Sequence, residues 1–236
     1  MSTSEKPEIS VGLPAYNEEG NIRKVVSDAI MALKKQNRSW EILVIDNHSS
    51  DGTVAVVKDM MKEDPRIRII EHEKNRFYSG SVASILREAK GDFIMIMDSD
   101  GQFTVEDLPS FMDALEKGAD FVLGWRRKRN DPAFRLVASW IFKQLGRYWL
   151  GFNLHDLNCG IRMFNRRFAE AAEITANINL ANPELYACAV KHNLQVGEVE
   201  VHHFPRLQGE TCNTLADSLR IFATVNRHMK ELSENL

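Results

Sequence analysis

The sequence predicts an α/β fold in which a central, mostly parallel sheet is flanked by helices. Two observations indicate this fold. Short apolar runs alternate with segments whose apolar residues recur at helical spacing, as expected for successive βαβ units. The apolar runs also end in loops rich in Asp, Asn, Ser and Gly. Ligands bind outside the carboxyl ends of the strands in such sheets, so we expect the functional site in these loops.

The elements follow one another regularly in the first half of the chain. We predict strands at residues 9–13, 40–45, 66–71 and 93–97, and helices that begin near Ile22, Val54 and Ser81. Asn17 is placed to cap the first of these helices, and Ser50 or Asp51 the second. Residues 1–8 are predicted to be a disordered tail and residues 213–236 a C-terminal amphipathic helix.

Length and composition narrow the class of protein. The chain has 236 residues, of which 44% are hydrophobic, enough for one large domain or one domain with a small appendage. Its net charge of -3 argues against a nucleic-acid partner. Three widely separated cysteines predict neither a disulfide framework nor a structural zinc site, which favours a reducing, cytoplasmic setting. The polar N-terminus and the lack of a long apolar run predict no signal peptide and no spanning helix.

The loop after the fourth predicted strand has the sequence Asp98-Ser99-Asp100-Gly101-Gln102. Carboxylates one residue apart suit a hard divalent cation such as Mg²⁺ or Mn²⁺. The same residue types also form an ordinary turn at the end of a strand, and the pentapeptide alone does not separate these two interpretations.

Two common nucleotide-binding classes are excluded by the loops. A dinucleotide-binding dehydrogenase carries G-x-G-x-x-G after its first strand, where this chain has P-A-Y-N-E-E-G. The P-loop pattern G-x-x-x-x-G-K-[ST] does not occur in the sequence. We therefore expect neither an NAD enzyme nor a P-loop NTPase.

Three motifs, in their order and spacing, resemble those of the family 2 inverting glycosyltransferases, which have the GT-A fold. They lie at residues 14–18, 45–53 and 98–102. Within that family the chain is most similar to the dolichyl-phosphate mannose synthase branch, through G-x-R at 124–126, R-x-x-x-S at 135–139, D-x-x-C-G at 156–160 and P-R-x-x-G at 205–209. The resemblance implies one domain over residues 9–212, with a nucleotide-sugar half (9–125) and an acceptor half (126–212).

The resemblance also implies the residues of the donor site. The positions that match the family's base, ribose and nucleotide contacts are Pro14, Tyr16, Glu18, Asp46, Asp98 and Ser99. Those that match its metal and diphosphate contacts are Asp98, Asp100 and Gln102, with Mg²⁺ or Mn²⁺ as the cofactor. The chemistry agrees, because an aromatic ring can stack on a base and carboxylates accept hydrogen bonds from ribose hydroxyls.

The implied reaction transfers a hexose from GDP-mannose or a UDP-hexose to a polyprenyl phosphate. The positions that match the acceptor and phosphate contacts are Arg126, Arg135, Ser139 and Arg206, and we assign catalytic roles to Asp100, Arg126 and Asp156. An ionised phosphate acceptor needs no strong base. A saccharide or protein hydroxyl would need one, for which Asp156 is the first candidate and His155 a weaker one. The alternative is that Asp156 only braces its loop.

Three departures from the family pattern keep a catalytically impaired homologue as an alternative. Asn47 replaces the second residue of a common Asp-Asp pair, which is expected to alter base or ribose recognition. Residues 75–80 are bulkier than the family's glycine-rich segment, and Cys212 stands where a lysine is common. A nucleotidylyltransferase ranks last, because the loop at residues 14–19 lacks the glycine-rich basic character of those enzymes.

Residues 134–152 mix aromatic and basic side chains along one predicted helix. This composition is typical of a segment at a bilayer interface, although a helix that packs its aromatic residues into the core would look the same. The predicted partners are thus a peripheral membrane contact or a membrane partner subunit, and a second copy of the chain in a homodimer. The other predicted partners are the nucleotide-sugar donor and the acceptor, which is a polyprenyl phosphate or a glycan.

Overall fold

The computed structural model describes residues 6–127, 133–175, 180–205 and 215–236. Within these residues, seven strands form one sheet in the order β3-β2-β1-β4-β6-β5-β7. The strands are β1 (Ile9–Ala15), β2 (Trp40–Asp46), β3 (Ile67–Glu71), β4 (Phe93–Met97), β5 (Phe121–Trp125), β6 (Ile161–Asn165) and β7 (Val196–Glu200). All adjacent strands are parallel except that β6 runs antiparallel to β4 and β5. The predicted fold class is confirmed.

Helices cover both faces of the sheet. They are α1 (Glu19–Lys34), α2 (Thr53–Glu63), α3 (Phe77–Glu88), α4 (Leu108–Glu116), α5 (Ala133–Leu150), α6 (Arg166–Ala171), α7 (Ala181–Lys191) and α8 (Leu215–Ser233). The core on one face includes apolar residues of α1, α2 and α4, and the core on the other includes those of α3, α6, α7 and α8. In β2, Ile42 and Val44 face the first core while Leu43 and Ile45 face the second. This double burial explains why the strands read as continuous apolar runs.

The start of α3 corrects the sequence prediction, which placed it near Ser81. The helix begins four residues earlier, at Phe77. The Asn75 side chain accepts a hydrogen bond from the Phe77 N–H at 2.8 Å, and Phe77 adopts a φ of 56°. This bond satisfies one of the first free N–H groups of the helix, which lies ahead of its apolar stripe.

The described chain makes sheet contacts before the predicted start of the domain. The N–H group of Glu8, assigned to a disordered tail, donates to the Ser39 carbonyl at 3.0 Å. Among the helices of the described residues, none combines the length and apolar character needed to cross a membrane.

Candidate active site

The loops after β1 and β2 are joined into one rim at the carboxyl edge of the sheet. The Asn17 N–H donates to Ser49 Oγ at 2.9 Å, and Asn17 Oδ1 accepts from the Ser50 N–H at 2.8 Å. The Glu19 N–H donates to Asp51 Oδ2 at 3.1 Å. Asn17 has a φ of 55°, a left-handed conformation that asparagine tolerates well. It therefore bridges the two loops and does not cap α1, contrary to the prediction; Asp51 does bond to the N–H of Thr53 in the first turn of α2.

Asp46 carries an unused acceptor inside this rim. It is the last residue of β2, paired with Ala15 of β1, and only 2% of it is exposed. Oδ2 accepts from the Ser49 N–H at 3.1 Å, whereas Oδ1 has no hydrogen-bond partner within the described residues. Leaving a buried carboxylate oxygen unpaired is costly, so a ligand N–H or hydroxyl fits this position. The ring of Tyr16, next to Ala15, is 45% exposed and offers a stacking face.

Asn47 braces the neighbouring loop. Its Oδ1 accepts from the Arg76 N–H at 2.8 Å and lies 3.0 Å from His72 Nδ1, while its Nδ2 donates to Asn75 Oδ1 at 3.0 Å. Burial and the nearby Arg76 charge lower the pKa of His72. Because Asn47 Oδ1 can only accept, His72 Nδ1 is the donor in this pair. Asn47 thus holds the loop after β3 against the end of β2.

Asp98 and Asp100 follow β4 at the same edge of the sheet. Ser99 Oγ, between them, donates to the Pro14 carbonyl at 2.7 Å, which ties this loop to the end of β1. Asp100 Oδ1 accepts from the Gln102 N–H at 3.0 Å. Burial and the neighbouring Asp100 carboxylate raise the pKa of Asp98 to about 6. Two neighbouring carboxylates are a fitting donor set for a divalent cation.

The predicted metal residues do not form a closed protein cage. In the part of the chain that the structure describes, no group of three or more His, Cys, Asp or Glu side chains is arranged to hold a metal ion. The third predicted ligand, Gln102, donates through Nε2 to the Phe204 carbonyl at 3.3 Å, and its own carbonyl accepts from the Phe204 N–H at 2.9 Å. Gln102 therefore also joins the loop after β4 to the segment at residues 201–205.

Arg126 and Asp156 form a nearly buried ion pair. Arg126 Nε lies 2.6 Å from Asp156 Oδ2 and Nη2 lies 3.0 Å from Oδ1, with side chains 11% and 6% exposed. This bidentate geometry is the strongest form of an Arg–carboxylate pair. His155, the weaker base candidate, stacks on Trp125 at 4.2 Å and places Nδ1 2.9 Å from Glu198 Oε2. The Arg126 guanidinium therefore contacts both oxygens of Asp156.

Some of the residues predicted to bind the acceptor substrate lie outside the part of the chain that the structure describes. Arg206 and the segment containing Cys212 lie outside the described residues, as does the side chain of Arg135, whose backbone is in the first turn of α5. Ser139 lies in α5 and is half-buried.

Sequence reasoning missed Tyr78 and Arg162, which lie directly behind Asp98. The Tyr78 hydroxyl donates to Asp98 Oδ1 at 3.0 Å, and Arg162 Nη2 donates to the Tyr78 oxygen at 2.6 Å. Arg162 interrupts the apolar run of β6 and is only 1% exposed. A charged residue inside such a run was the available signal, because buried arginines require specific partners.

Comparisons with known proteins agree with the motifs. The sequence profile described as Glycosyl transferase family 2 matches residues 10–172. A dodecaprenyl-phosphate galacturonate synthase of Rhizobium johnstonii is 26% identical over 217 residues, which are 91% of this chain and 64% of that protein. An undecaprenyl-phosphate 4-deoxy-4-formamido-L-arabinose transferase of Shewanella sediminis is 27% identical over 86% of this chain and 61% of that protein. The chain thus spans less than two thirds of the length of these relatives.

A solved structure shares the fold. Glucosyl-3-phosphoglycerate synthase from Mycobacterium tuberculosis, in complex with Mn²⁺, uridine diphosphate and phosphoglyceric acid, superposes with a TM-score of 0.70 at 19% identity. The match covers 94% of this chain and 78% of that one. This likeness extends over both the β1–β4 half of the sheet and the β5–β7 half.

Proposed function

Because the chain belongs to glycosyl transferase family 2, as its sequence motifs predicted, we propose that it transfers a sugar from a nucleotide sugar to a polyprenyl phosphate with inversion. The observation that carries this proposal is that the carboxyl ends of β1, β2 and β4 lie next to one another in the sheet. The unpaired oxygen of Asp46 and the carboxylates of Asp98 and Asp100 lie at the same edge of the sheet, beside the exposed ring of Tyr16. The named substrates of both relatives support a polyprenyl phosphate as acceptor.

The donor would lie across the ends of β1, β2 and β4. Tyr16 would stack on the base, and Asp46 would accept a hydrogen bond from the base or the ribose. Pro14, Glu18 and Ser99 shape the same rim. Asp98 and Asp100, with Gln102, would hold Mg²⁺ or Mn²⁺, which supplies positive charge to stabilise the leaving nucleoside diphosphate. The carboxylate pair fits this role because carboxylate oxygens are ligands that these cations prefer, and because burial and the Asp100 charge disfavour the ionised form of Asp98.

The acceptor would be bound by the arginines of the second half. Arg126, Arg135 and Arg206, with Ser139, are proposed to hold its phosphate. A phosphate oxygen attacks the anomeric carbon as the bond from that carbon to the diphosphate oxygen breaks. The acceptor is already ionised, so no proton must be removed and positioning carries most of the rate. Asp156 then orients Arg126, in agreement with its two short contacts to the guanidinium.

A direct assay tests the proposal. The purified chain is incubated with Mn²⁺, polyprenyl phosphate in detergent and a panel of UDP- and GDP-sugars, and release of the nucleoside diphosphate is measured. We expect release with a restricted set of donors, dependent on both Mn²⁺ and the lipid phosphate. Absence of release with every donor would refute the proposed function.

The variant Asp156→Asn distinguishes the phosphate acceptor from a hydroxyl acceptor. Asparagine keeps an acceptor for Arg126 but cannot serve as a base, so we expect kcat to fall less than about tenfold with polyprenyl phosphate. Loss of a general base costs typically about 10²–10⁴-fold. Steady-state kinetics and a melting curve, which reports on the ion pair, are measured together. A loss of about 100-fold or more in a folded variant would favour a saccharide or protein hydroxyl as the acceptor.

We further propose that one face of α5 contacts the bilayer that contains the acceptor. Val137, Trp140 and Tyr148 are spaced to lie on one side of the helix and are 57%, 62% and 78% exposed. Lys143 and Arg147 of the same helix can contact anionic lipid headgroups. Lys143 also donates to the His155 carbonyl at 3.3 Å, so this face adjoins the Arg126–Asp156 pair.

Replacement of Trp140 by glutamate should weaken binding to vesicles of phosphatidylglycerol and phosphatidylcholine by about tenfold or more. Burial of a large apolar side chain contributes about 1.5–3 kcal/mol, and about 1.4 kcal/mol is a factor of ten. Co-sedimentation measures the bound fraction. Met31→Glu, which alters a residue of α1 that is 57% exposed, is the matched control and should bind as the unmodified chain does. Equal binding by both variants would exclude α5 as the lipid-binding face.

A further inference from the structure

Tyr78 links the predicted metal carboxylate to a buried cation. It lies in the first turn of α3, and its hydroxyl is 3.0 Å from Asp98 Oδ1 and 2.6 Å from Arg162 Nη2. An arginine can only donate hydrogen bonds, so Arg162 occupies a lone pair of the phenol oxygen. The phenol hydrogen is thereby directed at Asp98.

Arg162 is itself rigidly placed. It projects from β6, which pairs with β4, and Nη2 also donates to the Cys159 carbonyl at 3.2 Å, while Nη1 bonds to Asn182 Oδ1. These contacts come from the loop before β6 and from α7. A guanidinium with fixed donors loses little further freedom when it binds another group, so it is a stable anchor for Tyr78.

The opposite side of Asp98 is closed by backbone. The Asp98 N–H donates to the Gly160 carbonyl at 3.1 Å, and a Cβ built on Gly160 would lie 2.1 Å from Asp98 Oδ2. The carboxylate is therefore confined between the Tyr78 hydroxyl and the Gly160 backbone. Of these two contacts, the one from Tyr78 determines how the carboxylate is rotated, because it is the directional hydrogen bond.

We propose that Tyr78 is a positioning residue for the metal site, which orients Asp98 through a hydroxyl held by Arg162. This inference rests on the proposed function, in which Asp98 and Asp100 hold the cation. Hydrogen-bond partners of metal ligands generally hold the ligand in its binding orientation, and their removal costs about 10–100-fold in metal affinity or activity. Among the residues that the structure describes, the hydrogen bond to Asp98 Oδ1 comes from Tyr78, which was not among the predicted site residues.

The test is Mn²⁺ binding by the variant Tyr78→Phe. Free Mn²⁺ is measured by electron paramagnetic resonance in the presence of UDP and, separately, of GDP. We expect the dissociation constant for Mn²⁺ to rise about tenfold or more, because phenylalanine keeps the ring and removes only the hydroxyl. Tyr186→Phe is the matched control: its ring packs edge-on against Phe152 of the core, and Mn²⁺ binding should not change.

Circular dichroism and melting curves establish that each variant is folded. If Tyr78→Phe does not fold, Arg162→Lys tests the anchor. Lysine keeps the charge but lacks the planar fork, so Mn²⁺ binding should again weaken. Binding by a folded Tyr78→Phe protein that equals that of the unmodified chain overturns the positioning role and leaves the proposed function intact. Failure of the unmodified chain to bind Mn²⁺ with either nucleotide overturns the metal site itself and the positioning role with it.

Discussion

Replacement of Asp100 by alanine is expected to lower kcat/KM for sugar transfer by about 1,000-fold. The two carboxylates after β4 would share one divalent cation, and a single carboxylate would hold it poorly. The cation supplies several kcal/mol of stabilisation to the charge on the leaving diphosphate. About 4 kcal/mol corresponds to the expected factor. The measurement is release of nucleoside diphosphate at saturating Mn²⁺, with EDTA-treated unmodified protein as the comparison.

Two further variants separate the charge of Asp100 from its effect on the loop. Asp100 Oδ1 accepts from the Gln102 N–H, and Gly101 between them has a φ of 79°. Asp100→Asn keeps this acceptor and removes the charge, so it should lose nearly as much activity as the alanine variant. Asp113→Asn changes an exposed carboxylate of α4 and should retain full activity. Activity in Asp100→Asn close to that of the unmodified chain would show that no cation depends on this residue.

The first four strands were predictable from the sequence because local pattern alone determines them. β1, β2 and β4 are apolar runs buried on both faces, and β3 is a short apolar run that is partly buried at the edge of the sheet. The position of β6 was not predictable in this way. It pairs antiparallel with β4 and β5 and so separates them, and this order depends on contacts between residues far apart in the chain. The early start of α3 lies beside a hydrogen bond from the Phe77 N–H to the Asn75 side chain, which an apolar pattern does not reveal.

The same distinction applies to the site. Tyr16, Asp46 and Asp98 could be placed together because carboxyl ends of neighbouring parallel strands meet at one edge. Tyr78 and Arg162 could not, because Arg162 reaches the Tyr78 hydroxyl only when β6 lies beside β4. The state of Asp156 was also beyond sequence reasoning. Its motif left open whether it is a base or braces its loop, and only the structure shows that both of its oxygens contact Arg126.

The pairing of β6 with β4 places the backbone of Gly160 against Asp98. Gly160 precedes β6, and its carbonyl accepts from the Asp98 N–H. A Cβ at this position would lie 2.1 Å from Asp98 Oδ2 and 2.6 Å from Phe103 Cε2. Neither neighbour can easily give way, because Asp98 is held by Tyr78 and Phe103 is buried in the core. An added methyl group must therefore displace the carboxylate or the strand.

Gly160→Ala is accordingly expected to lower kcat/KM by about 100-fold, since a displacement of about 1 Å at a reacting site can cost that factor. The free energy of unfolding should also fall, by about 1–3 kcal/mol, because of the overpacking. Kinetics and denaturant unfolding measure the two effects. Gly197→Ala in β7 is the matched control: its added Cβ would approach Ala119 Cβ no closer than 3.6 Å, so both quantities should stay near those of the unmodified chain. Full activity in a folded Gly160→Ala protein would mean that Asp98 can move without loss, and that its confinement between Tyr78 and Gly160 is not needed for catalysis.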